Sequence, residues 1–144
     1  MSELTLKQAN TIVDKAIAKA REMKINPLCV VVVDESGHVK ASQREDGASM
    51  FRFDVALGKA WGAVAMGASS RALGNRAKGN PNFFLSLAAT AEGKFLPQTG
   101  AALIRNASGA IIGAAGASGG TGEEDEEACV YGIEQAGLKA DAAP

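Results

Sequence analysis

Charged side chains are concentrated at a few places in this sequence where they could act on a small molecule. The first is the end of a predicted strand, where Arg44, Glu45 and Asp46 precede Gly47. Such a group is either a solvated turn or the polar rim of a pocket that has an apolar floor. In a pocket, Arg44 would bind an anionic group of the ligand, as Lys59 would, and Asp46 would fix these cations or accept hydrogen bonds. Both interpretations stay open.

Lys59 is the second candidate, because it lies in a predicted helix among small apolar residues such as Ala56 and Ala60. A lysine buried in that helix needs an acidic partner. The alternative is that its stem covers apolar surface while the ammonium reaches water. If Lys59 is buried, we expect its partner to be Asp46 or an acid of the run 123–127.

The third candidate is the glycine-rich loop before the last predicted helix, where Gly119 and Gly120 would allow a ligand to approach the backbone closely. Free N–H groups at a helix start ordinarily attract phosphate. Here five consecutive acids, Glu123 to Glu127, already complement the helix dipole and would repel a phosphate. We therefore exclude a nucleotide cradle. Either the run is a solvated helix end, or Asp125 or Glu126 turns inward toward the lysine or a ligand.

The composition indicates one soluble globular domain and neither a nucleic acid nor a membrane as a partner. Of the 144 residues, 47% are hydrophobic and 22% are charged, so a core can form without disulfides or a structural metal. Fifteen basic and sixteen acidic residues give a formal net charge of −1, which is not the balance of a nucleic-acid binder. The longest apolar runs, such as 28–33, are far shorter than the roughly 20 residues that span a bilayer.

The cysteines and the single histidine predict no metal site. Cys29, Cys129 and His38 lack the paired spacing of zinc ligands. Two isolated cysteines are typical of buried thiols in a reducing compartment. Because no signal-peptide pattern opens the sequence either, we expect a cytoplasmic protein.

Hydrophobic periodicity predicts helices and strands in the order α-β-β-α-α-β-β-α. This order has no alternating βαβ rhythm, so an antiparallel α+β sandwich is expected. Ser2 or Thr5 would cap the first helix. A single domain is expected over 1–138, with a frayed tail over 139–144. The predicted helices are 5–24, 53–66, 81–92 and 123–136, the predicted strands are 28–33, 38–44, 101–105 and 110–115, and 69–80 is predicted to be looser.

Glycines make the predicted helix over 53–66 unusually thin. Gly58 and Gly62 cost helix propensity at roughly 1 kcal/mol each, so a closely packed neighbour must compensate. That neighbour is either the rest of this chain, which we favour, or a second subunit.

Several short motifs follow one another along the chain. They are Ala20-Arg21-Glu22, Val30 to Asp34, Ser36-Gly37, Asp46-Gly47-Ala48, Lys59-Ala60, Ser70-Arg71, and Gly113 to Gly120 followed by Glu124-Asp125-Glu126. Taken in this order they resemble the GlcG/HbpS-like family of small bacterial proteins, over Leu4 to Leu138. The resemblance implies a profilin-like sandwich with a five-stranded antiparallel sheet and flanking helices, and assembly into homo-oligomers.

The resemblance also implies haem or a corrinoid as a possible cofactor, since the family includes haem-binding sensors and a corrinoid-related domain. Haem-binding relatives can use a histidine of the first helix as the iron ligand. This sequence has no histidine between residues 2 and 26. His38, Met50, Met66 and the cysteines are then the remaining candidate ligands.

Three functional hypotheses follow. The leading one is an oligomeric protein that binds a small organic molecule, such as a tetrapyrrole, between the sheet and the helices over 53–66 and 123–136. The second is a small enzyme of aromatic or organic-acid catabolism, in which Lys59, Asp46 or Glu126 transfers a proton. The third is a structural oligomer whose own aromatic side chains fill the pocket.

Overall fold

The computed structural model describes residues 3–144, so Ser2, one of the two predicted caps, lies outside the described residues. A five-stranded antiparallel sheet in the order β2-β1-β4-β3-β5 carries helices on both faces. This architecture confirms the predicted fold class. The helices are α1 Leu6–Met23, α2 Phe51–Met66, α3 Ser70–Gly79, α4 Pro81–Thr90 and α5 Gly122–Gln135, and the strands are β1 Cys29–Asp34, β2 Val39–Arg44, β3 Ala101–Arg105, β4 Ile111–Ser118 and β5 Lys139–Asp141.

Strand β1 is buried on both faces, and its side chains point alternately into two hydrophobic cores on opposite faces of the sheet. Val30 and Val32 pack with α1 and α5. Val31 and Val33 pack on the opposite face with α2. The sheet therefore lies between α2 and α5, the two helices that were predicted to enclose one pocket. Among the described residues, no helix is long and apolar enough to cross a membrane.

Side-chain caps set the starts of the two helices that share a face. Thr5 accepts the N–H of Gln8, and the Gln8 side chain accepts the N–H of Thr5. Thr121 and Glu124 form the same reciprocal pair at α5. These capping boxes satisfy donors that the helices cannot satisfy internally.

Two segments differ from the sequence-based expectation. Residues 70–79, predicted to be loose, form helix α3, capped by Ser69. Residues 139–141, predicted to fray, form strand β5 beside β3, where Asp141 pairs with Arg105. Both segments are mostly polar or small, and both gain their order from contacts with distant parts of the chain.

A third layer covers the outer side of α2. Leu73, Phe84 and Phe95 form a small core there. A Cβ at Gly62 would lie 2.6 Å from the Phe95 ring, and one at Gly58 would lie 2.9 Å from the Leu96 side chain. The glycines of α2 thus admit a segment of the same chain, as favoured from the sequence.

Candidate functional site

Lys59 and Asp125 form an ion pair at the end of the sheet. The lysine is 5% exposed and the aspartate 1%. Lys59 Nζ donates to the Ala117 carbonyl at 3.0 Å and to Asp125 Oδ2 at 3.2 Å. The buried Lys59 is thus paired with an acid of the run 123–127, and Asp46 makes no hydrogen bond to Lys59.

Asp125 also closes the glycine-rich loop. Its Oδ1 accepts the N–H of Gly120 at 3.0 Å. Burial raises the pKa of Asp125, and the Lys59 ammonium and the Gly120 N–H oppose that rise. An N–H group that a phosphate cradle would need therefore already has an internal carboxylate as its acceptor.

The segment that leads into β3 packs tightly against this pair. Gly100 has a φ of +139°, and a Cβ there would lie 2.5 Å from Lys59 Nζ. A Cβ at Gly122 would lie 2.9 Å from the Thr99 carbonyl oxygen. Residues 99 and 100 therefore pack between the lysine and the start of α5.

Two further contacts tie α3 to the same place. Arg71 donates to both carboxylate oxygens of Glu126, with N···O distances of 2.9–3.3 Å. The Ser70 hydroxyl accepts the N–H of Ala101 and donates to its carbonyl. Bidentate arginine–carboxylate pairs fix orientation as well as distance, so α3 has a defined position relative to α5 and β3.

A cavity of about 560 Å³ lies between α3, α4 and the segment 95–99. Phe84 and Phe95 are nearly buried and stack with their centroids 6.0 Å apart. Lys78 is the single charged residue among those that line it. The lining residues are Gly74, Asn75, Ala77, Lys78, Pro81, Phe84, Leu85, Ala88, Phe95, Leu96, Pro97, Gln98 and Thr99.

None of the predicted site residues lines this cavity. Lys59 and Asp125 lie behind its wall, because Thr99 lines the cavity and the adjoining Gly100 packs on Lys59. Glu126 supports the wall through Arg71. The eight predicted ligand-binding residues were Arg44, Asp46, Gly47, Lys59, Gly119, Gly120, Asp125 and Glu126.

The remaining predicted residues lie around the end of β2. Arg44 donates to the Ala48 carbonyl, while Asp46 and Gly47 are exposed in the turn. Gly119 packs against the backbone of residues 27–28. Of the three proposed proton-transfer residues, Lys59 pairs with Asp125, Glu126 pairs with Arg71, and Asp46 has no ion pair among the described residues.

Residues 116–120 also match the Gly-x-Ser-x-Gly spacing of a hydrolase nucleophile. The structure gives Ser118 another role, because it ends strand β4, is 1% exposed and accepts a hydrogen bond from Arg52. It pairs with Cys29 at one end of β1, whereas His38 follows the other end. The histidine is thus a whole strand length away from the serine.

Sequence reasoning missed the cavity residues, and only part of the signal was present. The pair Phe83–Phe84 and the run Phe95-Leu96-Pro97 show apolar clusters, but nothing local says that they meet. The polar composition of 70–79 concealed the helix that supplies the facing wall.

The cavity offers no imidazole, thiolate or thioether ligand for a haem iron, since no His, Cys or Met lines it. His38 is exposed at the β1–β2 turn. Burial raises the pKa of the Cys29 thiol to about 11 and raises that of Cys129 as well. Within residues 3–144, no group of three or more His, Cys, Asp or Glu side chains could hold a metal ion.

Solved structures closely match this fold. The crystal structure of PduOC in complex with haem superimposes with a TM-score of 0.84 at 25% identity, covering 96% of this chain and 99% of that one. Protein ORFY of Klebsiella pneumoniae gives a TM-score of 0.84 at 25% identity, over 95% and 92% of the two chains. A double mutant of HbpS from Streptomyces reticuli gives 0.79 at 27% identity, over 93% and 87%.

The sequence itself matches a family profile over most of its length. No curated protein sequence matches this chain. The profile described as haem-degrading protein HbpS-like matches residues 4–134. The sequence match and the shared fold agree, and the chain belongs to the HbpS-like family.

Proposed function

We propose that this protein binds a small organic molecule in the cavity between α3, α4 and the segment 95–99. The observation that carries the proposal is an apolar cavity of about 560 Å³ with one cationic side chain, Lys78. Ligand sites commonly occupy 300–1,000 Å³ and combine apolar walls with a few polar groups. Phe84 and Phe95 form part of the wall and leave this volume open, unlike the filled pocket expected of a purely structural oligomer.

A tetrapyrrole is the first candidate ligand. The relative PduOC, which has the same fold, was crystallised with haem. The cavity presents aromatic and aliphatic walls to a flat ring system, and Lys78 is suited to a carboxylate at its edge.

In this proposal, most of the predicted charged residues position the cavity and do not touch the ligand. Lys59, held by Asp125, packs against Gly100 beside the cavity wall. Glu126 fixes α3 through Arg71. Arg44 lies elsewhere and is accessible to a ligand or a second subunit.

We further propose a homo-oligomer in the cytoplasm. Met50 is 83% exposed and Phe51 is 62% exposed at the start of α2, and adjacent exposed apolar side chains are typical of contact surfaces. Cys29 and Cys129 are buried free thiols, which supports a reducing compartment. Native mass spectrometry would count the subunits, and a monomer at micromolar concentration would contradict the proposed homo-oligomer.

The test of ligand binding is a haemin titration followed by the Soret band. Ala88 lines the cavity, so Ala88→Trp should fill it and weaken binding at least about tenfold. Ala89 is exposed on the same helix, so Ala89→Trp is the matched control and should bind as the wild type does. The proposal would be contradicted if haemin kept its free spectrum in the presence of the wild type, or if both variants lost haemin affinity equally.

A further inference from the structure

The residues that line the cavity can contact the edge and faces of a flat anion, but they include no strong ligand for a haem iron. Its lining contains no imidazole, thiol or thioether. Its one basic side chain, Lys78, carries positive charge on the nitrogen that a metal would need. A haem iron bound here would therefore receive no strong ligand from this subunit's cavity.

The histidine and the two cysteines of the chain do not line the cavity. His38 is exposed in the β1–β2 turn, whose Gly37 packs against Trp61 of α2, and it is not among the residues that line the cavity. Cys129 is buried in α5, on the opposite face of the sheet, and its Sγ donates to the Gly100 carbonyl. Cys29 is buried between the sheet and α2, with its pKa raised to about 11.

The groups that do line the cavity favour an amphipathic carboxylate. Ala77, Leu85 and Leu96 contribute apolar wall, and Lys78 contributes the one charge. No acidic residue lines the cavity to repel an anion. Since a cavity of about 150 Å³ holds one benzene ring, this volume accommodates roughly four rings of that size.

We propose that the cavity binds a flat, carboxylate-bearing ring system through its apolar walls and Lys78, with no metal coordination, so that a metal-free porphyrin binds as tightly as haemin. This inference rests on the proposed function. It makes the metal dispensable for recognition and assigns the anchoring of the carboxylate to Lys78.

The test compares the dissociation constants of protoporphyrin IX and haemin, measured by fluorescence and absorbance. The two should agree within about threefold, because neither gains a bond to a metal ligand. His38→Ala should leave both unchanged. Bound haemin should also accept added imidazole, because no side chain of the cavity occupies the axial positions of the iron.

Variants of Lys78 separate its charge from any role as a metal ligand. Lys78→Gln should weaken the binding of both porphyrins by about tenfold. Lys78→Arg keeps the positive charge but cannot ligate a metal, so it should bind both porphyrins as the wild type does. Lys40→Gln, at an exposed position on β2, is the control for net charge and should have little effect.

The outcomes distinguish the two proposals. Metal-independent recognition would be overturned if haemin bound more than about tenfold more tightly than protoporphyrin IX. It would also be overturned if His38→Ala lost affinity for haemin but not for protoporphyrin IX. Either result would leave the proposed binding function standing. Failure of both porphyrins to bind would overturn both proposals. Equal binding in Lys78→Gln and the wild type would overturn the assigned role of Lys78.

Discussion

Lys59 and Asp125 come from helices on opposite faces of the sheet, yet their Nζ and Oδ2 atoms lie 3.2 Å apart at its end. The lysine reaches past the last residues of β4, where it also binds the Ala117 carbonyl. The pair thus joins α2, α5 and the segment before β3 at one point. Since that segment continues into the cavity wall, the pair links the two helical layers to the candidate ligand site.

Removing the lysine from this pair should destabilise the fold. Lys59→Met leaves a buried carboxylate without its counter-charge, so we expect the free energy of unfolding to fall by about 3–5 kcal/mol at neutral pH. Urea denaturation measures the loss. Lys94→Met, which removes an exposed partner of Glu92 at 3.9 Å, should cost less than about 1 kcal/mol, and an equal loss in both variants would contradict this account.

The same variant should show a distinctive pH dependence. Burial raises the pKa of Asp125 above its ordinary value of 3.8, and Lys59 opposes the rise, so removing Lys59 raises that pKa further. A carboxyl with a raised pKa holds its proton more tightly when folded, which increases stability as pH falls toward the unfolded value. The stability gap between the wild type and Lys59→Met should therefore narrow on acidification toward pH 3.8, and a constant or widening gap would argue against it.

Gly100 tests how closely the cavity segment packs on the lysine. Gly100→Ala places a Cβ 2.5 Å from Lys59 Nζ at a φ of +139°. Gly109→Ala suffers only the backbone strain, since at φ +87° its Cβ would meet nothing within 4 Å. We expect Gly100→Ala to lose at least about 1 kcal/mol more than Gly109→Ala in chemical denaturation; similar losses would show that the contact is loose.

The strand at the C-terminus makes a separate prediction. The N–H of Ala143 and the Arg105 guanidinium lower the pKa of Asp141 below 3.8. A lowered pKa contributes stability above the unfolded value and loses it as pH falls through the folded one. Asp141→Asn should therefore cost about 0.5–1 kcal/mol at neutral pH and nothing in strong acid, as measured by urea denaturation, and a cost that does not fall on acidification would contradict this account.

The ion pair was partly predictable, because the small apolar neighbours of Lys59 indicate that it is buried and a buried lysine requires an acidic partner. The identity of that acid among five consecutive candidates depends on where α5 begins. The Thr121 cap sets that start and places Asp125 toward the lysine. The local sequence pattern thus predicted a buried lysine–carboxylate pair, and the capping geometry determines which of the five acids is the partner.

The cavity and the last strand were not predictable from local pattern. Helix α3 has a polar composition, and its position depends on Arg71 meeting Glu126, 55 residues away. Strand β5 is stabilised by pairing with β3, with Arg105 and Asp141 36 residues apart. The placement of α2 and α5 on opposite faces likewise follows from strand order, which short motifs do not encode.

The most direct test of the central claim is amide chemical-shift mapping by NMR during titration with protoporphyrin IX. The account predicts that the largest changes fall on residues of α3 and α4 and on the segment 95–99, with smaller changes at Gly100 and the start of α5. Changes concentrated on α1 or on residues 44–47, with the cavity residues unaffected, would contradict it.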